Sequence, residues 1–353
     1  MNFEGALETP DSLQRICNVI EKNAYLEELI ISKNALGVTG AKALSNFLIN
    51  NINLKHFIID DAGLGKKGGI VILESILNSK RKKSFLETIS IKENVLGKGC
   101  SKLLSMVLQN HQNTLTKVVL SRNNFYNSDI CHLMKSLNLC NKLQIVNIED
   151  NFFTTNTSRM LSKSLINWPD LKQLIINDCL IDKKGIIYIL EALSKGNNPG
   201  IEYLGLQYCN IYEEGFFLLA SIIKSKLIAL NKLKVHGNHQ VAKNCILKLK
   251  LACERNETSI DGLDELIDEE EVDYNNNEVK NDHDDGKGKG KGKDYDKKKG
   301  KGGNEKIEEE EGNVGEEGIE RKEGKEGKVI FSDKKSLGKR KGSDMSDIAK
   351  KKK

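Results

Sequence analysis

"INWPDLKQLIINDCLIDKKGI" runs from Ile166 to Ile186 and reads as a helix end, a short strand, a loop and the start of another helix. Its skeleton is Leu171, Leu174, Ile176, Cys179 and Ile181. The same pattern, L-x-x-L-x-L-x-x-N/C-x-L, begins at Leu26 ("LEELIISKNAL"), Leu54 ("LKHFIIDDAGL"), Leu86 ("LETISIKENVL") and Leu115 ("LTKVVLSRNNF"). It returns at Leu143 ("LQIVNIEDNFF"), Leu171 itself, Ile201 ("IEYLGLQYCNI") and Leu230 ("LNKLKVHGNHQ"), so that successive starts lie 28 to 32 residues apart. Residues two apart, such as Leu174 and Ile176, point to one face of a strand and into a core, while Ile175 between them faces the other way. Three residues on, Asn34, Asn94, Asn123, Asn151, Cys179, Cys209 and Asn238 are placed to hydrogen-bond the backbone of the turn that leaves the strand.

These are leucine-rich repeats, at the long end of the range for the class. After each loop comes a stretch of helical periodicity, such as "TGAKALSNFLINN", where Ala41, Leu44, Phe47 and Leu48 fall on one face. The sequence therefore predicts an α/β leucine-rich repeat solenoid, with a curved parallel sheet inside and helices outside, over residues 1–260 in about eight repeats. An acidic linker (261–285) and a Lys/Gly/Glu-rich tail (286–353) follow, and the tail is too polar to offset its ordering entropy and is expected to be disordered. The net charge of +5 is then a balance of charged blocks in the tail, not a basic face on the fold, and direct nucleic-acid binding is not expected.

No stretch approaches the roughly 18 apolar residues of a membrane span, no secretory leader is visible, and the eight cysteines lack CxxC pairs. The expectation is a protein away from membranes, with reduced core thiols. "GLGKKG" satisfies G-x-G-x-x-G at Gly63, Gly65 and Gly68, but "ALGVTG" and "VLGKGC" occupy the same place in neighbouring repeats, so these glycines serve a recurrent turn. Six scattered histidines offer no metal spacing. Phe57 and Trp168 read as core. What remains is the surface at the strand ends, where the two residues after each strand read "SK", "DD", "KE", "SR", "ED", "ND", "QY" and "HG". Asp60, Asp61, Glu93, Glu149, Asp150 and Asp178 bias that edge towards acid, with Lys33, Lys92 and Arg122 mixed in: a solvated rim, or a docking edge for a basic protein.

"LQIVNIEDNFFTTNTSRMLSKSLINWPDLKQLIINDCLIDKKGI", "YLGLQYCNI" and "GLDELIDEEEVD" (Gly262 to Asp273), in this order, resemble the repeats and acidic exit of the Ran GTPase-activating protein family. The resemblance covers about residues 3–273. It implies an activator that lays its loops against the GTP form of the small GTPase Ran and helps fix that protein's own catalytic Gln through an Asn on a strand-end loop. No arginine finger is inserted, and the effect is one of positioning and preorganisation. No cofactor of its own is implied, because GTP and Mg²⁺ are carried by the GTPase. Lys33, Asp60, Asp61, Glu93, Arg122, Asp150, Asp178, Asp268 and Glu269 are the implied GTPase-binding set. The family loop H-N-N-G-L-G is "DDAGLG" here, so Asp61 stands at the important Asn and Ala62 at the structural one.

At the N-terminus the family's F-x-G-R is "FEGA", with Phe3 and Gly5 in place and Ala6 at the Arg position. A helix starting at Thr9-Pro10 without a preceding strand leaves Leu26–Ile31 as an uncovered sheet edge, which suggests that N-terminal repeats are missing from this version of the sequence. The resemblance implies a cytoplasmic and perinuclear place and further partners among Ran-binding proteins. Basic clusters in "KKSLGKRKGSDMSDIAKKKK" offer nuclear import factors a signal, and with it nuclear entry. The alternative function is a non-catalytic repeat module that keeps the partner but not the stimulation.

Overall fold

A computed structural model describes residues 1–7, 10–20, 25–80 and 85–266. Three-residue strands alternate with helices: β1 (Glu28–Ile30), β2 (His56–Ile58), β3 (Thr88–Ser90), β4 (Lys117–Val119), β5 (Ile145–Asn147), β6 (Gln173–Ile175), β7 (Tyr203–Gly205), β8 (Lys232–Lys234) and β9 (Ser259–Asp261). All are parallel and each pairs with the next in sequence. Before β1 lies α1 (Pro10–Ile20), and between the strands run α2 (Gly37–Asn50), α3 (Gly65–Leu77), α4 (Cys100–Asn110), α5 (Asn127–Leu137), α6 (Thr155–Ser164), α7 (Lys183–Ser194), α8 (Glu213–Ser225) and α9 (Lys243–Arg255). Each helix packs on the one before and the one after. The chain is an α/β leucine-rich repeat solenoid.

The repeat pattern explains this directly. The middle residue of each of the first eight strands stands in one column, Leu29 beside Phe57, Ile89, Val118, Val146, Leu174, Leu204 and Leu233. Two residues later Ile31, Ile59, Ile91, Leu120, Ile148, Ile176, Leu206 and Val235 form a second column, and every side chain in both is no more than 1% exposed. Helix faces close the core from the other side. Ala41, Leu44, Phe47 and Leu48 of α2 are all buried. Trp168 fills the space after α6, and its Nε1 donates to the Leu137 carbonyl at 3.0 Å.

At the strand ends the Asn side chains do the work the spacing implied. Asn94 Nδ2 donates to the carbonyls of Ile59, Ile91 and Lys92 at 2.7, 3.1 and 2.9 Å, and its Oδ1 accepts from the Ala62 and Leu64 amides. The Asn94 amide in turn donates to Asn123 Oδ1 at 3.2 Å, and that of Asn123 to Asn151 Oδ1 at 3.4 Å. Cys179 and Cys209 take the same place with weaker thiol bonds, each Sγ reaching a carbonyl of the preceding repeat at 3.3 Å. In the second repeat Ala62 buries a methyl where the other repeats hold an amide or a thiol.

The expected open edge at β1 is not found. Asn2 pairs with Ile30 in parallel, Phe3 N donates to Ile30 O at 2.8 Å, Ile30 N to Met1 O at 2.9 Å and Gly5 N to Ser32 O at 3.0 Å. Gly5 has φ 61°, and Lys33 beside it has φ 57°. "NFEG" is therefore a strand end with its own turn, in register with the repeats that follow. In that register Ala6 falls beside the amide-ladder residue Asn34, with its side chain exposed. At the other end the repeats continue into β9, and the buried Leu266 accepts a backbone bond from Val241 at 2.9 Å. Residues from 267 onward, with Asp268, Glu269, most of the acidic linker and the whole tail, lie outside the described residues.

Two outcomes test this architecture. Asn94→Ala strips the donors from three carbonyls and is expected to destabilise the fold by about 2–3 kcal/mol in urea unfolding; a loss under 0.5 kcal/mol would show that the ladder is not a main support. Burial pushes the thiols of Cys100, Cys245 and Cys253 up to about 11 and that of Cys140 to about 12. Maleimide at pH 7 should thus label half-buried Cys131 first and reach these four only as the fold opens, as read by mass spectrometry along a denaturant series.

Candidate functional site: the strand-end edge

Beyond each strand the chain takes one more ladder step and then turns sharply. Lys33, Asp61, Glu93, Arg122, Asp150, Asp178 and Tyr208 all sit in the left-handed region, with φ between 48° and 60°. Each still donates its amide to the next repeat, Asp61 to Lys92 O at 2.8 Å and Asp150 to Asn177 O at 2.9 Å, for example. A left-handed residue other than glycine costs about 1 kcal/mol, and the added sheet bond offsets it. The turn sends the side chain outward: all are exposed except Glu93, which is half-buried. One row of side chains, one per repeat, is thereby presented along a single edge.

The row contains five of the charged residues singled out in the sequence from Asp61 to Asp178, and Lys33 extends it. Arg122 bridges its neighbours, with Nη1 3.2 Å from Glu93 Oε1 and Nε 3.4 Å from Asp150 Oδ2. Held from both sides in solvent, each pair is worth no more than about 1 kcal/mol, but together they restrain the guanidinium. Lys33 Nζ lies 2.8 Å from Glu4 Oε1, and this hydrogen bond, with the charges of Glu4 and Asp61, raises its pKa.

Asp60 behaves differently from Asp61. Its Oδ1 accepts from Ser90 Oγ at 2.7 Å and from the Lys92 amide at 2.8 Å, and its own amide donates to Ser32 Oγ at 3.0 Å. Its carboxyl supports the turn, with burial holding its pKa above the usual range against the pull of those bonds. Asp61, fully turned out, is the carboxylate a partner would meet.

Two shallow clefts follow the edge. One, of about 300 Å³, joins Glu4, Lys33, Asp60, Asp61, Lys92 and Glu93 over Ile30 and Ile58. The other, of about 240 Å³, is lined by Arg122, Glu149, Asp150, Asn177, Asp178, Gln207, Tyr208 and His236. Four of these, Asn177, Gln207, Tyr208 and His236, go unnoticed when only charges are followed. Their signal is positional, because they fall on the same two places after the strand in repeats six to eight. Asn177 Nδ2 donates to Glu149 Oε2 at 2.9 Å while its Oδ1 accepts from the Gln207 amide at 3.0 Å, which fixes the Glu149 carboxylate beside Asp150. Gly205 makes room for it, since a Cβ there would stand 2.8 Å from Asn177 Oδ1.

Among the described residues no group of three His, Cys, Asp or Glu converges to hold a metal ion, and no helix is long and apolar enough to cross a membrane. Gly63 and Gly65 of "GLGKKG" have φ 61° and 55°, the conformation of a turn that recurs at Gly97 with φ 57°. Cys179 and Cys209 lie buried behind the edge with thiol pKa values raised by burial, which leaves them no nucleophilic role at neutral pH. The edge offers charge, shape and hydrogen-bonding groups to a macromolecule.

No family model matches the sequence. The chain is 29% identical over 240 residues to Ran GTPase-activating protein 1 of Saccharomyces cerevisiae, a match covering 65% of this chain and 59% of the yeast protein. It is 26% identical over 263 residues to NACHT, LRR and PYD domains-containing protein 14 of Mus musculus, covering 65% of this chain and 26% of that protein. The chain thus spans less than two thirds of the length of either relative. Among solved structures, the tropomodulin C-terminal domain of Caenorhabditis elegans matches at 13% identity and a TM-score of 0.31, over 61% of this chain and 92% of that one. The name of the second relative includes leucine-rich repeats, in agreement with the solenoid.

Asp150 carries a measurable consequence. Burial, with Asp178 adding to it, holds its carboxyl above the usual range although Arg122 pulls the other way. A carboxyl raised on folding stabilises the fold while protonated and loses that contribution as pH rises through its folded pKa. Asp150→Asn is therefore expected to be slightly more stable than the unchanged chain at pH 7, within about 0.5 kcal/mol because solvent screens the site. The difference should shrink as pH falls through the carboxylate range, as read from urea midpoints at pH 7 and pH 4.

Proposed function

We propose that this chain is a GTPase-activating protein for Ran, which docks its strand-end edge on the GTP-bound partner and speeds hydrolysis by positioning groups that the GTPase itself supplies. The observation that carries the reading is the 29% identity to the yeast Ran GTPase-activating protein 1, which extends over 240 residues and so over several repeats, not one motif. The edge fits the role. It is an ordered row of outward charges on a stiff sheet, the arrangement that steers and orients a basic partner. GTP and Mg²⁺ would come with the GTPase, and this chain would add no cofactor of its own. Restrained between Glu93 and Asp150, Arg122 is poorly placed to act as an inserted finger, which agrees with activation by positioning.

A second reading is favoured by one residue. Asp61 is an exposed carboxylate, which accepts hydrogen bonds but cannot donate them, and it adds negative charge near a phosphate centre. A chain with Asp61 in that position keeps the docking edge, binds the same partner and leaves hydrolysis unchanged. In either case the working place would be the cytoplasm and the nuclear periphery, with the basic clusters near the C-terminus as a route for import factors.

Single-turnover hydrolysis of GTP by Ran, with and without the full chain, separates the two. Stimulation on the order of 10³-fold or more by the unchanged chain supports the activator reading. Asp61→Asn is then expected to gain about tenfold, the worth of one better-matched hydrogen bond. Binding without stimulation, with activity appearing only in Asp61→Asn, establishes the binding module. No binding at low salt overturns both.

A further inference from the structure

Two places beyond each turned-out edge residue lies the middle residue of N-x-L, at the crest of the loop. It too is left-handed in several repeats, at Gly63, Val95, Asn124, Leu180 and Asn210, with φ between 51° and 61°. Glycine and asparagine are the residues that accept this conformation; a β-branched valine or a leucine there is strained. Val95 and Leu180 are also 59% and 56% exposed, so each combines backbone strain with apolar surface left in water. Neither feature serves the core. Asn124 and Asn210 show that the loop closes with the favoured residue, and bulky outliers of this kind collect at working surfaces.

The two are not isolated. In the intervening repeats Phe152, at the same place in N-x-L, stacks its ring on that of Tyr126 with centroids 4.4 Å apart and planes 1° from parallel, and Tyr126 is 54% exposed. Val95, Phe152 and Leu180 thus stand at the crests of the loops whose bases carry Glu93, Asp150 and Asp178; in the Arg122 loop between them the crest is Asn124, and Tyr126, two residues further on at the start of α5, brings the apolar surface through its stack on Phe152. The four loops present an apolar strip beside a row of three carboxylates and one guanidinium.

We propose that this strip is a second contact line for the protein partner, which sets apolar side chains against Val95, the Tyr126–Phe152 stack and Leu180 while its basic side chains meet Glu93, Asp150 and Asp178. The assignment rests on the reading that the chain docks Ran through its strand-end loops, and deepens it by adding an apolar component to a charged edge. The acidic row beside the strip selects a basic partner and disfavours a second copy of this chain, which would bring like charges together. Buried under a partner, the two aliphatic side chains would contribute binding that salt does not screen.

The strain makes the test unusually clean, because the substitutions that remove the contact should improve the fold. Val95→Asn and Leu180→Asn are each expected to raise the thermal unfolding midpoint by about 2–4 °C. The double variant should bind Ran loaded with a non-hydrolysable GTP analogue about tenfold more weakly than the unchanged full chain, mostly through faster dissociation. Its salt dependence should stay unaltered. Ile228→Asn, at an equally exposed residue on the helix-to-strand side, serves as control and should leave binding unchanged. If the double variant is stabilised and binds as well as the unchanged chain, the strip is no contact line and the proposal falls, with the Ran reading intact. If the unchanged chain shows no Ran binding at all, the functional reading fails and the strip fails with it. Weaker binding with a lower midpoint would also count against the proposal, since it would mean these residues support the loops.

Discussion

The working edge is built on the backbone polar groups buried at the strand ends. Where each strand stops, carbonyls of two successive repeats point into a space closed to water, and a buried acceptor without a donor is costly. Asn34, Asn94, Asn123, Asn151 and Asn238 meet that need with one side chain reaching both repeats. The residue before each ladder position is left-handed, before Asn at Lys33, Glu93, Arg122, Asp150 and Gly237, and equally before Ala62, Cys179 and Cys209 at Asp61, Asp178 and Tyr208. From Lys33 to Tyr208 each such residue gives its amide to a carbonyl of the next repeat while its side chain turns outward. An interior requirement is thereby converted into an exterior display.

The display is indifferent to what it carries. Because geometry at the outward position is set by the ladder behind it, lysine, aspartate, glutamate, arginine and tyrosine all occupy it at similar φ. Such an edge is rigid in backbone and free in sequence, which suits recognition of a large partner by many modest contacts. Neighbouring charges then couple across repeats, as Arg122 does with Glu93 and Asp150, and Asn177 holds Glu149 from one repeat further on.

Most of the fold was legible in the sequence because its determinants are local and periodic. The core columns, the ladder positions, the buried Phe57 and Trp168 and the structural role of Cys179 and Cys209 follow from spacing alone. What escaped depends on contacts distant in sequence or on backbone angles. "NFEG" carries no apolar alternation, and only its bonds to Ile30 and Ser32 make it a strand end. β9 has Ile260 as its lone apolar residue, too little for a pattern. At the site, the charged members of the outward row could be picked out as two-letter pairs after each strand. The division of labour between Asp60 and Asp61 could not, since it turns on Ser90 and Lys92 from the next repeat. Val95 and Leu180 look like ordinary loop residues until their φ is known.

The single tryptophan has a use of its own. Trp168 is fully buried in the middle of a fold whose repeats contact chiefly their neighbours, and its indole is tied to Leu137 of the repeat before. Its fluorescence is therefore a local gauge in a quasi-one-dimensional object, blind to fraying at either end. Circular dichroism averages over all the helices. A gap between the two unfolding curves would measure how far along the solenoid cooperativity reaches, with no label added to the chain.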